Sequence, residues 1–207
     1  MKSENGRSMV EMLGVLAIIG VLSVGAIAGY SKAMMKHKLN QHAVAVNMLI
    51  NNVLSIKDKL QHTEYLTHYG TLLYKLNLLP DGIKYINNEH LIEMWFKESV
   101  WVYYYNFQRP DSFGGIGFQI PPTAQGAEIC RNIALAAKEN AANLYYVVMQ
   151  KAFNDTNKDV EHQGILYGDA YCTQQNCLRH LDLNKIDNMC NNCNEEKCQV
   201  YVIWKQT

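Results

Sequence analysis

The six cysteines, Cys130, Cys172, Cys177, Cys190, Cys193 and Cys198, are the residues of this chain best placed for chemistry, and five of them crowd into its last 36 residues. Cys172-x4-Cys177, a 12-residue gap and Cys190-x2-Cys193 come near zinc-ribbon spacing, in which four thiolates converge on one tetrahedral metal, with His180 as a spare ligand. On the oxidising side of a membrane, an even count of cysteines forms disulfides instead, stapling a terminus that has few apolar residues of its own. Asp155-x-Asn157-x-Asp159 opens like a calcium loop, but Val160 replaces the turning glycine and Leu166 the closing glutamate. Asn154-Asp155-Thr156 is a glycosylation sequon, a pattern of little specificity. There is no H-E-x-x-H and no G-x-S-x-G, and Gly114-Gly115-Ile116-Gly117 lacks the lysine that would reach a phosphate. The seven histidines are scattered. The expectation is a protein that is not an enzyme and needs no cofactor.

Glu11 sets a different kind of chemistry. It directly precedes MLGVLAIIGVLSVGAIAGY, Met12 to Tyr30, 19 residues without a charge. At about 1.5 Å per helical residue such a run reaches roughly 28 Å, close to the hydrocarbon thickness of a bilayer, and in lipid it must be helical. A secretory signal peptide has a shorter apolar part and ends at a small-residue cleavage site. This run instead continues into a patterned helix. A carboxylate toward the bilayer centre costs on the order of 2.5–3.5 kcal/mol, so it needs interfacial depth, a proton or a cationic partner. A cut after Gly6 would expose the α-amine of Arg7 and make Glu11 the fifth residue of the mature chain. The amine of a neighbouring chain could then meet this acid inside a bundle of helices and fix its register.

The elements that position these groups follow from periodicity. Leu39, Ala43, Val46, Ile50, Val53 and Leu60 recur at spacings of three and four, with Lys57 as a break, so the helix is expected to run on past Tyr30 with one apolar stripe. Thr63 to His90 reads as a connecting region with a turn at Leu79-Pro80-Asp81-Gly82. Ser99 to Phe107 is β-branched and aromatic and reads as a strand. Arg109-Pro110-Asp111-Ser112 is turn chemistry, and Phe113 to Ile120 is the returning strand, in which Gly114 and Gly115 permit a bulge. A helix is expected from about Ala127 to Leu144, a strand over Tyr145 to Met149, a short helix near Leu183 to Met189 and a last strand over Cys198 to Trp204. Tyr103, Tyr104 and Tyr105 are consecutive, so a strand there turns aromatic rings to both faces of its sheet.

Gly6 followed five places later by Glu11, the short leader MKSENG, the Ala17-Ile18-Ile19-Gly20 core and Tyr30 after the apolar block resemble the leader and first helix of type IV pilins and of the pseudopilins of type II secretion. More weakly, the hairpin, cysteine-bearing helix and cysteine-bracketed last strand, with stretches such as EICRNIALAAK and IDNMCNN, resemble the head of type IVb pilins. The resemblance implies cleavage after Gly6 by a prepilin peptidase, methylation of the new amine on Arg7, and assembly assisted by Glu11. It implies the pilin fold, an α+β architecture. A long N-terminal helix, membrane-spanning in its first half, packs on a small antiparallel sheet head with an extra helix and a disulfide-rich C-terminus. The divisions are then a leader over 1–6, the N-terminal helix over 7–62 (transmembrane 12–30, amphipathic 31–62) and a head over 63–207 with a cysteine-rich region over 172–198.

Lys2 and Arg7 precede the span and Lys32, Lys36 and Lys38 follow it, so a count of positive flanks alone favours the opposite orientation. The leader motif and the cysteines both place the head outside the cytoplasm, and disulfides are therefore expected over zinc at Cys172, Cys177, Cys190 and Cys193. Six cysteines allow 15 pairings, among which the sequence does not choose. The expectation is a long-range Cys130–Cys190 bridge with local Cys172–Cys177 and Cys193–Cys198 loops.

The 19 basic and 19 acidic residues balance, and no nucleic-acid-binding face is expected. The implied partners are other pilins in a filament, the prepilin peptidase, an assembly platform and the lipid bilayer. The implied location is the bacterial inner membrane and then a periplasmic or extracellular fibre. The alternatives are a pseudopilin of a secretion or DNA-uptake machine and, from another class, a membrane-tethered zinc module or enzyme.

Overall fold

A computed structural model of the chain describes residues 9–60, 65–106, 112–151, 162–173, 176–195 and 197–205. The fold is α+β. Helix α1 spans Met9–Ile56, and the chain divides into two compact units, Met1–Lys38 and Leu39–Thr207.

In the first unit the described residues are all helical, and the large apolar side chains from Met12 to Tyr30 are exposed. α1 is long and apolar enough to cross a membrane; its most apolar 18-residue window has a mean hydropathy of 2.4 and none of it is buried within the protein.

The second unit begins with the remainder of α1, which turns one stripe inward: His42, Val46, Leu49, Ile50 and Val53 are fully buried. Burying each large aliphatic side chain contributes about 1.5–3 kcal/mol before ordering costs. The helix stops at Ile56 rather than running to residue 62. Lys57, the break in the stripe, begins a 3₁₀ turn over Lys57–Lys59, and Leu60 returns to the core.

The described strands are β1 (Leu66–His68), β2 (Ile83–Tyr85), β3 (Leu91–Glu93), β4 (Ser99–Tyr105), β5 (Phe113–Ile120), β6 (Tyr146–Lys151), β7 (His162–Tyr167) and β8 (Cys198–Trp204). They form one antiparallel sheet in the order β2-β3-β4-β5-β8-β6-β7, with β1 paired to β4 beside β3. The last strand is therefore central, flanked by β5 and β6. One row across the sheet reads Val102, Ile116, Val202, Val147 and the next Val100, Phe118, Val200, Met149; all are buried on the face turned to the helices. Helix α2 is Gly70–Lys75, α3 is Gly126–Glu139 and α4 is Leu183–Cys190. On α3, Ile129, Cys130, Ile133, Ala134 and Ala137 share the buried face, as a 3.6-residue period requires. Asp182 caps α4, its carboxylate accepting from the Lys185 backbone N–H at 2.8 Å.

Several expectations are corrected. The region from Thr63 to His90 holds two short strands, β1 and β2, and helix α2; each is six residues or fewer, below what periodicity can reveal. The turn within it is present, the Ile83 N–H donating to the Pro80 carbonyl at 3.1 Å. α3 ends at Glu139 and a 3₁₀ turn follows over Ala141–Asn143, so Leu144 lies beyond the helix. Most of the turn at Arg109-Pro110-Asp111-Ser112 lies outside the described residues. Gly114 and Gly115 form no bulge, for β4 and β5 stay in register from Ser99↔Gln119 to Tyr105↔Phe113. They serve close approach instead. A Cβ on Gly114 would meet the ring of Trp204, and one on Gly115 the ring of Tyr103, at van der Waals-violating distance. Trp204 is fully buried and has no room to retreat. Gly114→Ala is accordingly expected to lower unfolding stability by about 1–3 kcal/mol, the usual cost of overpacking, read as an earlier midpoint in denaturant melts of the detergent-solubilised chain.

On the opposite face of the sheet the aromatic residues gather. Trp101 meets Tyr201 edge-on at 5.9 Å between centroids, and Tyr103 meets Tyr105 at 5.3 Å and Phe113 at 6.5 Å. Tyr104 points the other way into the core. Burial pushes the phenols of Tyr103, Tyr146 and Tyr201 up, so they stay neutral.

Candidate assembly site and sulfur crosslinks

Glu11 lies on α1, directly before its apolar run. Met12, Val15 and Leu16, within five residues and hence on adjoining turns, line one surface hollow with it. Among the described residues an acid thus borders apolar side chains alone in this hollow, on a helix with mean hydropathy 2.4 in its best window. Water solvates such a patch badly and lipid solvates the acid badly. Gly6 and Arg7, the residues expected to supply the cut and the amine, lie outside the described residues.

The six cysteines are all within the second unit. Cys130 on α3 is bonded to Cys190, the last residue of α4, with Cα atoms 5.7 Å apart. Cys193, in the 3₁₀ turn Asn191–Asn194, is bonded to Cys198 at the start of β8, and Cys172 to Cys177 in the segment after β7. No free cysteine remains. The zinc alternative at Cys172, Cys177, Cys190 and Cys193 needs thiolates, and all four sulfurs are oxidised. His180, its spare ligand, sits exposed in the 3₁₀ turn Leu178–His180. Among the described residues no group of three or more His, Cys, Asp or Glu side chains is placed to hold a metal ion. The calcium reading at Asp155, Asn157 and Asp159 falls outside the described residues.

The surroundings of the bridges explain their positions. Both sulfurs of Cys130–Cys190 touch the thioether of Met149 on β6, joining α3, α4 and the sheet in one apolar contact. Arg131 on α3 donates to the Asp187 carboxylate on α4, a half-exposed pair that adds little energy. At the start of α3, less than one turn before Cys130, Asn194 accepts from the Ala127 backbone N–H at 2.9 Å, so the turn held by Cys193–Cys198 caps the helix that the long bridge crosslinks.

Sequence reasoning missed one cluster altogether, the buried side chains of His42, Glu93 and Glu98. His42 stands one place before Ala43 in the apolar stripe, and a polar residue within such a stripe is the signal that would have found it.

The architecture is compatible with a pilin-like fold. No protein-family model matches the sequence, and no curated protein matches it.

Proposed function

We propose that the chain is a structural subunit, major or minor, of a type IV pilus-like filament. It is inserted in the inner membrane with its head outside the cytoplasm, cut after Gly6, methylated on the new amine of Arg7 and assembled through α1. The observation that carries this reading is Glu11 at the border of an exposed apolar helix long enough to span a bilayer. A plain anchor gains nothing from an acid there, whereas a bundle of such helices uses it to set register when each neighbour brings an amine. Three disulfides in the second unit support an oxidising location. The same physics serves a pseudopilin of a secretion or DNA-uptake machine, which differs in the length and use of the fibre.

Processing is tested directly. Intact mass spectrometry of the membrane form is expected to show the wild-type chain without residues 1–6 and with one added methyl group. Gly6→Ala should retain those residues. A wild-type chain that keeps its first six residues in the membrane contradicts the reading.

A further inference from the structure

His42 and Glu98 are both 0% exposed, and the imidazole Nε2 lies 3.0 Å from Glu98 Oε2. They come from distant parts of the second unit: His42 from the head-packed half of α1, Glu98 from the turn that joins β3 to β4. A third element fixes the chemistry between them. The Asn132 amide nitrogen, on α3, donates to the Leu39 backbone carbonyl at 3.0 Å and lies 3.2 Å from His42 Nδ1. A carbonyl only accepts, so the amide nitrogen must face it, and its second N–H is then offered to Nδ1. Nδ1 is thereby an acceptor, and the imidazole proton resides on Nε2, pointing at Glu98.

Glu98 consequently takes one hydrogen bond on Oε2, while Oε1 is buried with no protein partner. The neighbouring acid is no help. Glu93 is also fully buried, and its two carboxylate oxygens are occupied by the Trp95 and Phe96 backbone N–H groups at 2.8 and 2.7 Å. The Glu93 N–H in turn donates to the Glu98 carbonyl at 2.9 Å. Phe96 closes the site, its ring edge-on to His42 at 5.8 Å. The titratable groups that act on Glu98 are thus His42 from α1 and Glu93 from β3, and α3 presents only a neutral amide. Fully buried, a negative charge on Glu98 has one donor and one repelling neighbour.

We propose that His42, Glu98 and Asn132 form a proton-dependent latch: with a proton on Glu98 the latch closes the head-packed half of α1 onto the β3–β4 turn and α3, and loss of that proton opens it. The inference concerns the head and stands whether or not the chain polymerises. Desolvation, the largest influence, raises the Glu98 carboxyl above its ordinary value of 4.5, and repulsion from Glu93 acts in the same sense, while His42 lowers it in part. A carboxyl raised on folding binds its proton more tightly in the native than in the unfolded chain. The contribution to stability is therefore complete below pH 4.5 and is lost as pH rises through the folded-state value. Asp and Glu groups that gain cationic partners behave in the opposite way, which makes the sign diagnostic.

The test uses the full chain in detergent micelles. Hydrogen exchange is measured by mass spectrometry at pH 5 and pH 8, with times corrected for intrinsic exchange, on peptides covering residues 39–56 and 91–100. Wild type is expected to lose at least tenfold in protection at the higher pH in those peptides, while the β5–β8 peptides hold theirs. Glu98→Gln keeps the shape and an acceptor but cannot ionise, and should show equal protection at both pH values. Should that variant lack a cooperative melt, the double replacement His42→Leu, Glu98→Met removes the pair at similar volume, a change that buried ion pairs often tolerate. It should likewise be insensitive to pH. Equal wild-type protection at both pH values overturns the latch, as does a cooperatively folded variant that retains the wild-type loss.

Discussion

Replacing Cys130 and Cys190 together by alanine is expected to be the costliest of the three bridge removals. The two residues are 60 apart in sequence, against five for each of the other pairs. In the chain-entropy model a closed loop of that length contributes about 4 kcal/mol, and a five-residue loop about 2 kcal/mol. The packing argument points the same way. Cys130 and Cys190 are both fully buried against Met149, so the alanines also leave a void where two sulfurs touched a third. Since domains of this size are typically stable by about 5–15 kcal/mol, a loss of 4 is a large share of the total. Denaturant melts of the three double-alanine variants should place this one at the lowest midpoint, with near-ultraviolet circular dichroism reporting loosened aromatic packing. If the Cys172–Cys177 variant melts earlier, the long bridge is not what secures α3 to α4.

The second large effect is functional. Glu11→Ala is expected to leave insertion into the membrane intact and to abolish filaments recovered by shearing. Removing the acid makes the helix more apolar, so partition into lipid is not weakened. What is lost is the directional element. Apolar helices in lipid have no hydrophobic reason to choose one register over another, and small-residue packing alone is permissive. Glu11→Gln, which keeps a hydrogen-bonding side chain without the charge, should also fail to restore wild-type yield if the partner is a cation. Equal filament yield from wild type and Glu11→Ala would count against both the pilin and the pseudopilin readings.

Long elements with a strong pattern were readable in the sequence. β8, Cys198–Trp204, has the bounds its apolar alternation implies, and β5 likewise, because each lies in the middle of the sheet with one face fully buried. β7 was not readable. HQGILY carries a glycine and polar residues and lies at the edge of the sheet, where burial does not impose alternation. The glycines of β5 misled for a definite reason. Their role is set by the rings of Trp204 and Tyr103, which arrive from other strands and have no trace in the local sequence. The same holds for the latch: Leu39, His42, Glu98 and Asn132 are brought together by α1, the β3–β4 turn and α3, and only the misplaced polarity of His42 hinted at it. Glu11, by contrast, was legible as a candidate site from its neighbours alone, since one charge beside 19 uncharged residues is an energetic statement in any lipid context.

The claim on which the account turns is that an adjoining copy brings its amino end alongside Glu11. A membrane-permeant carbodiimide joins a carboxylate to an amine only when the two touch. Applied to membranes containing the wild-type chain, followed by proteolysis and mass spectrometry, it is expected to yield a crosslinked peptide pair in which the Glu11 side chain of one copy is condensed with the α-amine of Arg7 from another. Recovery of Glu11 modified by the reagent but never joined to a second copy, on a chain still carrying residues 1–6, would contradict it.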